Sequence, residues 1–542
     1  MLPTLIRRPG PASIAAAALL SVYFAIGLSS AMHQSISYDE PAHWRYGVQV
    51  ASGNTSRFDD SKMPVTALNT VPSAVLKAVQ PRAERDIMTT VRTGRVVTLI
   101  AAALLGWVVF SWARSIAGAA AGLIALGIFV LDPNLAAHSQ FVTTDIYGAL
   151  GITLAVWSFW RFVEKPGLVR TLLAGLVLGG ALLCKFTSVY LVILFPILAV
   201  IHRVIAGSGP GQRAGLLKTS TLLLLMAAVS LAVLAAGYLG NGWGAALKDY
   251  DFKSDLFIGL SDIGSLFSGI PLPFPKPFIE GLDWVKFYEN SAMGRGPAYL
   301  FGKVSTEPFA GYFAWVFLFK VPLSIQVLLA WTTIEWAVVR RAKPAVLLVP
   351  LATALFFAAY FIFFCNAQMG VRMLLPAFPA FYVFAGCVTA RVVLPEQEDR
   401  RGTRAHKARI GALVLLLFWC IMSVGRHYPH LLGYFNELAG KPTRYYRILA
   451  DSNLEWGNNM GFAQKYIVSH WPVQPDPKDP KPGKIIISAN FVTGIISRSE
   501  FAWARWLVEH KEPVDHVGFG YLVYDLTEED IRAIRLAMEE KN

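Results

Sequence analysis

Stretches of about 20 apolar residues recur along most of the chain, and about 20 residues is the length one helix needs to cross a hydrocarbon layer. Nothing else restricts the fold as strongly. Backbone in lipid must satisfy its own hydrogen bonds, which leaves only helices for runs of this length. About eleven spans are predicted, near 12–32, 93–112, 116–132, 140–162, 171–184, 187–202, 217–239, 314–337, 345–364, 373–391 and 409–425. The fifth and sixth are short and can also be read as one pair broken around Lys185. Of the 542 residues, 54% are hydrophobic and 16% charged, against about 25% charged in soluble domains. The expected class is therefore an α-helical polytopic membrane protein. The first run follows Arg7 and Arg8 as a signal peptide would, but its length and the lack of a small-x-small cleavage site predict a retained span.

The net charge of +13 would suggest nucleic acid in a soluble chain. Here the basic residues fall in short loops between apolar runs, so they are read as topology signals and no nucleic-acid partner is expected. Arg7 and Arg8; Arg114; Arg161, Lys165 and Arg170; His202, Arg203, Arg213 and Lys218; Arg340, Arg341 and Lys343; and "RRGTRAHKAR" at 400–409 all sort to one side. That side is cytoplasmic by the positive-inside rule. An odd span count then places the N-terminus inside and residues 426–542 outside. The loops 33–92 and 240–313, "LDPNLAAHSQFVTTD" and "CNAQMGVR" also fall on or near the outer face. Composition suggests a bacterial inner membrane.

Two units are expected: residues 1–425 spanning the membrane and 426–542 forming a small extracytoplasmic α/β domain. In the tail, "KIIISANFV" and "HVGFGYLVYDL" read as strands and "EEDIRAIRLAMEEKN" as an amphipathic helix. "QPDPKDPKPGK" reads as a Pro-rich linker. The loop 240–313, with "PLPFPKPF", is expected to hold juxtamembrane helices and an acceptor cleft. Cys184, Cys365, Cys387 and Cys420 lie in or beside apolar runs and form no disulfide or CxxC framework. No Walker A loop, Gly-rich dinucleotide turn or HExxH occurs. Energy must then come from an activated substrate or a gradient.

The unusual polar residues gather in the outer segments. In "YDEPAHWRYG", Pro41 suits the first helical position, with Glu40 as N-cap and Asp39 just before it. The two carboxylates either favour a helix N-terminus or include a general base. His43 and Tyr46 lie on or near the same helix face. Lys62 in "DDSKMPV" either snorkels to headgroups or pairs with a phosphate. His138 and Asp145 are seven apart and share a face if one helix spans both. Asp145 would lie just inside the membrane boundary, where an acid without a role is unusual. A metal site using these residues stays open, the spacing not being diagnostic. Arg372 in "NAQMGVRMLLP" offers a guanidinium fork suited to phosphate.

At these residues the chain resembles a known family, the multi-spanning C-type (GT-C fold) glycosyltransferases that use polyprenyl-phosphate sugars. The branch is the family 39-like one of protein O-mannosyltransferases and the aminoarabinose transferase of lipid A, in its bacterial members. "YDEPAHWRYGVQVA" is similar to the family's acidic first outer loop and "SKMPVTALNTVPSAVL" to its Lys/His-Pro-Pro-Leu segment. "AAHSQFVTTDIYGAL", "AGLVLGGALLCKFTSVYL", "GPAYLFGKVSTEPFAGYFAWVFLFKVPL" and "NAQMGVRMLLPAFP" resemble later blocks in the same order, and "HYPHLLGYFNELAGKPTRYYRILADSNLEWGNNM" resembles the bacterial tail.

The resemblance implies that Asp39 is the catalytic acid position with Glu40 as its partner, and that Asp145 is a second acidic position. It implies donor-phosphate contacts from Lys62 and Arg372, although "KMPV" departs from the family's "KPP" or "HPP". His43, Tyr46 and His138 are expected in the substrate pocket. Asp451, Asn453, Glu455 and Trp456 are expected to fold the outer domain or dock it over the site. The implied partners are a polyprenyl-phosphate sugar, membrane lipids and a glycan, lipid or protein acceptor. No metal ligand is assigned and no cofactor is expected to be required, a divalent metal staying open. The implied reaction is an inverting transfer with Asp39 as base. The rival readings are a flippase or transporter of lipid-linked saccharides, in which the acids couple protons, and a non-catalytic assembly factor.

Overall fold

The structure is a computed structural model that describes residues 10–56, 61–80, 86–206, 212–264, 268–291, 296–338, 345–393, 403–496 and 498–540. Arg7, Arg8, Arg340, Arg341, Lys343 and the start of the 400–409 basic run lie outside the described residues, as do the side chains of Arg213 and Lys218.

The chain is a polytopic bundle of apolar helices. Six are long and apolar enough to cross a membrane: Pro11–His33, Ile87–Val130, Asp145–Glu164, Phe186–Val204, Thr219–Gly237 and Arg404–Gly425. Tyr312–Lys320 and Leu323–Val338 make a seventh if counted as one span, and Leu168–Cys184, Leu348–Phe364 and Phe378–Val393 are shorter apolar helices. The second and third expected spans run together as one 44-residue helix with a break at Ala117 and Gly118. Gly118 has φ +83°, a backbone open to a residue without Cβ. The bent pair turns by 108° around Val321, held extended ahead of Pro322. Leu168–Cys184 stops at Lys185, whose extended backbone (φ −159°, ψ 140°) leads into a short 3-10 turn at Phe186–Tyr190. The Lys185 break is thus real, with a short helix on either side.

The Ile87–Val130 helix is the hub, packing against Pro11–His33, Asp145–Glu164 and Phe378–Val393. Its buried Leu105, Val109, Phe110 and Trp112 lie in one continuous apolar core with Tyr382, Val383 and Phe384. The loop 33–92 carries the Glu40–Ala51 helix, a 3-10 turn at Pro64–Thr70 and the helix Val71–Val79. The loop 240–313 carries the helices Asp255–Ile263 and Lys276–Asn290 and the hairpin Ala298–Leu300 with Lys303–Ser305.

Beyond Gly425 the tail builds a four-stranded sheet in the order Gln474–Pro475, Gly483–Ser488, Tyr521–Leu526, Asp515–Val517. The first pair is parallel and the other two antiparallel. Side chains alternate between its faces. Ile485, Ile487, Leu522 and Tyr524 join the core shared with the membrane helices, while Ile486, Tyr521 and Val523 pack on Ala463 and Val473. Both faces are covered, which explains why these strands read as unbroken apolar runs.

Three tail expectations need correction. "KIIISANFV" is a strand only to Ser488, whose hydroxyl accepts from the Asn490 N–H (3.3 Å) and starts the helix Ala489–Thr493. "HVGFGYLVYDL" is a hairpin of two strands, not one strand. Part of the Pro-rich segment is an edge strand, Gln474–Pro475, and not a plain linker. The terminal helix forms at Glu528–Glu539, opened by reciprocal capping between Thr527 and Asp530.

Candidate active site

The Glu40–Ala51 helix begins one residue earlier than its Pro suggested: Asp39 is the N-cap residue and Pro41 sits inside the first turn. The Asp39 carbonyl accepts the His43 N–H at 3.2 Å, but its side chain makes no cap hydrogen bond. Its carboxylate instead accepts from Arg372 Nη1 at 2.9 Å, in an ion pair whose side chains are 36% and 13% exposed. Burial raises the Asp39 pKa, but Arg372, with His43 and Lys62, outweighs it and holds the carboxyl below its usual value. Asp39 is therefore an ionised, reachable carboxylate beside a guanidinium.

Glu40 faces the other way. It is fully buried and accepts from Arg95 Nε (2.8 Å) and Nη2 (2.7 Å), from the Ser37 N–H (2.6 Å) and from the Val142 N–H (3.0 Å). Arg95 also donates to the carbonyls of Ala31 (2.7 Å) and Ser35 (2.7 Å) and lies over the Phe141 ring. This knot ties the end of the first helix, the start of the Glu40 helix and the hub helix together. Sequence reasoning passed over Arg95. The available signal was a lone arginine inside the apolar run 93–112, which must find a partner.

Arg372 stands on the segment 366–373, and the tail turn at 451–456 seats it. Asn453 Oδ1 accepts the Val371 N–H at 3.0 Å, and Ser452 Oγ donates to the Met369 carbonyl at 2.7 Å. Asn453 also donates to Tyr312 Oη (3.0 Å), and its carbonyl accepts from buried Lys320 Nζ (2.6 Å) at the helix bend. Gly370, at φ +88°, leaves no room for a Cβ, which would lie 2.9 Å from Asn453 Oδ1. Trp456 lies under the guanidinium, with Arg372 Cζ 4.6 Å from its ring centre.

His138 and Asp145 do not share one helix. The helix Pro133–His138 ends, and a second begins at Asp145 after an irregular stretch. Asp132 caps the first of these helices, accepting from the N–H groups of Asn134 (2.6 Å) and Leu135 (3.1 Å). Even so, His138 Nδ1 comes to 4.0 Å from Asp145 Oδ2. Asp145 Oδ1 accepts from Lys185 Nζ at 2.5 Å, so the break in the fifth and sixth spans delivers a cation. His138 is fully buried, its ring packs edge-on against Trp456 at 5.9 Å, and neither ring nitrogen makes a hydrogen bond.

Asp39, Arg372, Trp456, His138, Asp145 and Lys185 thus form one continuous chain of contacts. His43 borders it: burial first, then Lys62, lower its pKa to about 3, against the pull of Asp39 and Asp145. Lys62 donates to Ser61 Oγ at 3.1 Å and acts electrostatically on Asp39 and His43. Tyr46 is apart, lining a recess of about 20 Å³ with Asn54, Thr55, Tyr238 and Asn241. Among the described residues no group of three His, Cys, Asp or Glu side chains gathers to hold a metal ion.

Glu455, in the same tail turn, accepts from the Gly457 N–H (2.6 Å) and Asn459 Nδ2 (2.9 Å). Burial outweighs these bonds and pushes its pKa from 4.5 up to about 7. The folded chain then holds this proton more tightly than the unfolded chain. Its stabilising effect is complete below pH 4.5 and is lost as pH rises to about 7. The melting temperature in detergent is expected to fall across that window, and Glu455→Gln to flatten the fall; an unchanged slope assigns the effect to another group.

Residues 87–238 match the family model described as dolichyl-phosphate-mannose-protein mannosyltransferase. No curated protein matches the chain. Among solved structures the chain is similar to the archaeal oligosaccharyltransferase AglB from Archaeoglobus fulgidus, in complex with an inhibitory peptide and a dolichol-phosphate. That match has 14% identity and a TM-score of 0.46, covering 75% of this chain and 54% of the other. ArnT from Cupriavidus metallidurans bound to undecaprenyl phosphate is 12% identical with a TM-score of 0.32, covering 96% and 99%. The S. cerevisiae protein O-mannosyltransferase Pmt1-Pmt2 complex bound to the sugar donor is 19% identical with a TM-score of 0.34, covering 43% and 34%. The chain spans about half the length of the archaeal protein.

Proposed function

We propose that this chain is a membrane glycosyltransferase of the GT-C type that moves a sugar from a polyprenyl-phosphate donor to an acceptor at the outer membrane face. The observation that carries the reading is the Asp39–Arg372 pair, at 2.9 Å, seated on Trp456 and adjoining the Asp145–Lys185 pair. The match of residues 87–238 to the mannosyltransferase family model supports it. The membrane is the bacterial inner membrane, the N-terminus is cytoplasmic, and residues 426–542 form the extracytoplasmic domain.

In this reading the donor phosphate enters beside Arg372 and Lys62 and competes with Asp39 for the guanidinium. Losing that partner raises the Asp39 pKa and makes the carboxylate a better base. Asp39 takes the acceptor proton as the acceptor attacks the anomeric carbon. The bond from that carbon to the phosphate oxygen breaks, the configuration inverts, and polyprenyl phosphate leaves with its charge stabilised by Arg372 and Lys62. Glu40, locked to Arg95, positions Asp39. Asp145 holds Lys185 and, through His138, the floor of the site.

The test uses protein in nanodiscs, a panel of polyprenyl-phosphate sugars and a membrane extract as acceptor. Wild type is expected to release polyprenyl phosphate, and Asp39→Asn to do so roughly 100- to 10,000-fold more slowly. Wild-type turnover by the normally expressed variant would sink the base assignment.

A further inference from the structure

A small cavity of about 30 Å³ lies beside the Arg372 segment, lined by Asp451, Thr306, Glu307, Asn366, Gln368 and Met369. That volume accommodates a hydroxyl or a water and little more. Its walls are fixed. Gln368 is held by both ends of its amide, accepting the Phe309 N–H (2.9 Å) and donating to the Phe309 carbonyl (2.8 Å). The Asn366 N–H donates to Glu289 (3.1 Å). Asp451 is fixed as well: its N–H donates to Asn490 Oδ1 (3.0 Å), and its carbonyl accepts the Leu454 and Glu455 N–H groups (2.9 and 3.0 Å). Its φ of +57° is a conformation that few residues other than Gly, Asn and Asp adopt.

The cavity is contiguous with the proposed reaction centre. Met369 lines it, and Met369 Sδ is 3.4 Å from Arg372 Nη2. Asp451 feels the charges of both Arg372 and Asp39. Met369 thus joins this opening to the guanidinium on which the donor phosphate would sit.

We propose that Asp451 and this cavity form a hydroxyl-recognition subsite for the donor sugar, making Asp451 a specificity-determining residue. The proposal rests on the transferase reading for the identity of its ligand. A carboxylate in a rigid cavity accepts from a sugar hydroxyl placed there. A sugar lacking that hydroxyl leaves the half-buried Asp451 carboxylate one bond short, a loss that fixes selectivity more than overall affinity.

The test measures equilibrium binding by the full chain in nanodiscs, which needs no turnover. The probes are polyprenyl-phosphate hexoses and their matching monodeoxy series. Wild type is expected to bind one deoxy form roughly 10- to 100-fold more weakly than its parent hexose. Asp451→Gly, which keeps the backbone conformation, and Asp451→Asn are expected to reduce that ratio to within a few-fold. Preserved discrimination in both variants, or none in wild type, overturns the subsite. Discriminating binding by a wild type that releases no polyprenyl phosphate from any donor supports the subsite and counts against the transferase reading alone.

Discussion

Arg372→Lys is expected to cut turnover by roughly 100- to 1,000-fold, the loss typical of removing one preorganised donor to developing charge. Charge is kept in this variant, so the expectation rests on shape. The guanidinium does three things at once: Nη1 meets Asp39 at 2.9 Å, Nη2 meets Met369 Sδ at 3.4 Å, and its plane lies over Trp456. An ammonium can make the first contact, but it has no flat face to rest on the indole and no fork for two phosphate oxygens. Single-turnover release of polyprenyl phosphate, read at saturating donor, checks this. A variant with unchanged kcat and a raised KM would mean that Arg372 binds the ground state and the transition state equally and does not speed the chemical step.

The second large effect is on stability. Arg95→Met is expected to destabilise the protein by about 3–5 kcal/mol, because it leaves the Glu40 carboxylate buried without its cation. The loss reaches the site, since Glu40 also fixes the Ser37 backbone ahead of Asp39 and the Val142 backbone ahead of Asp145. The double variant Glu40→Leu with Arg95→Met removes both charges and is expected to regain much of the loss. Thermal unfolding in detergent separates the outcomes. A single variant that melts like wild type would show that the pair does not organise this corner.

What was legible in the sequence follows from how far apart the interacting residues lie. Apolar runs announce helices locally, so the described spans fall on the expected segments and even the Lys185 break was visible. Asp39 and Glu40 stood out together, but their division of labour did not. It depends on Arg95, 55 residues on from Glu40, and on Arg372, 333 residues on from Asp39. The condition that one helix spans His138 and Asp145 is not met, because the chain breaks between them, yet tertiary packing brings them together regardless. The strands of the tail misled in a different way. Burial on both faces erases the alternation that would have marked where one strand ends and a turn begins.

The seat of Arg372 has a consequence for biogenesis. Arg372 is made some 80 residues before the residues that seat its segment and its guanidinium, Ser452, Asn453 and Trp456. A nascent protein with its first ten apolar runs already inserted still has an unsupported guanidinium loop. The Asp39–Arg372 pair gains its seat only when the tail has been made and folded back, so under the proposed function the order of translation keeps a half-made protein idle.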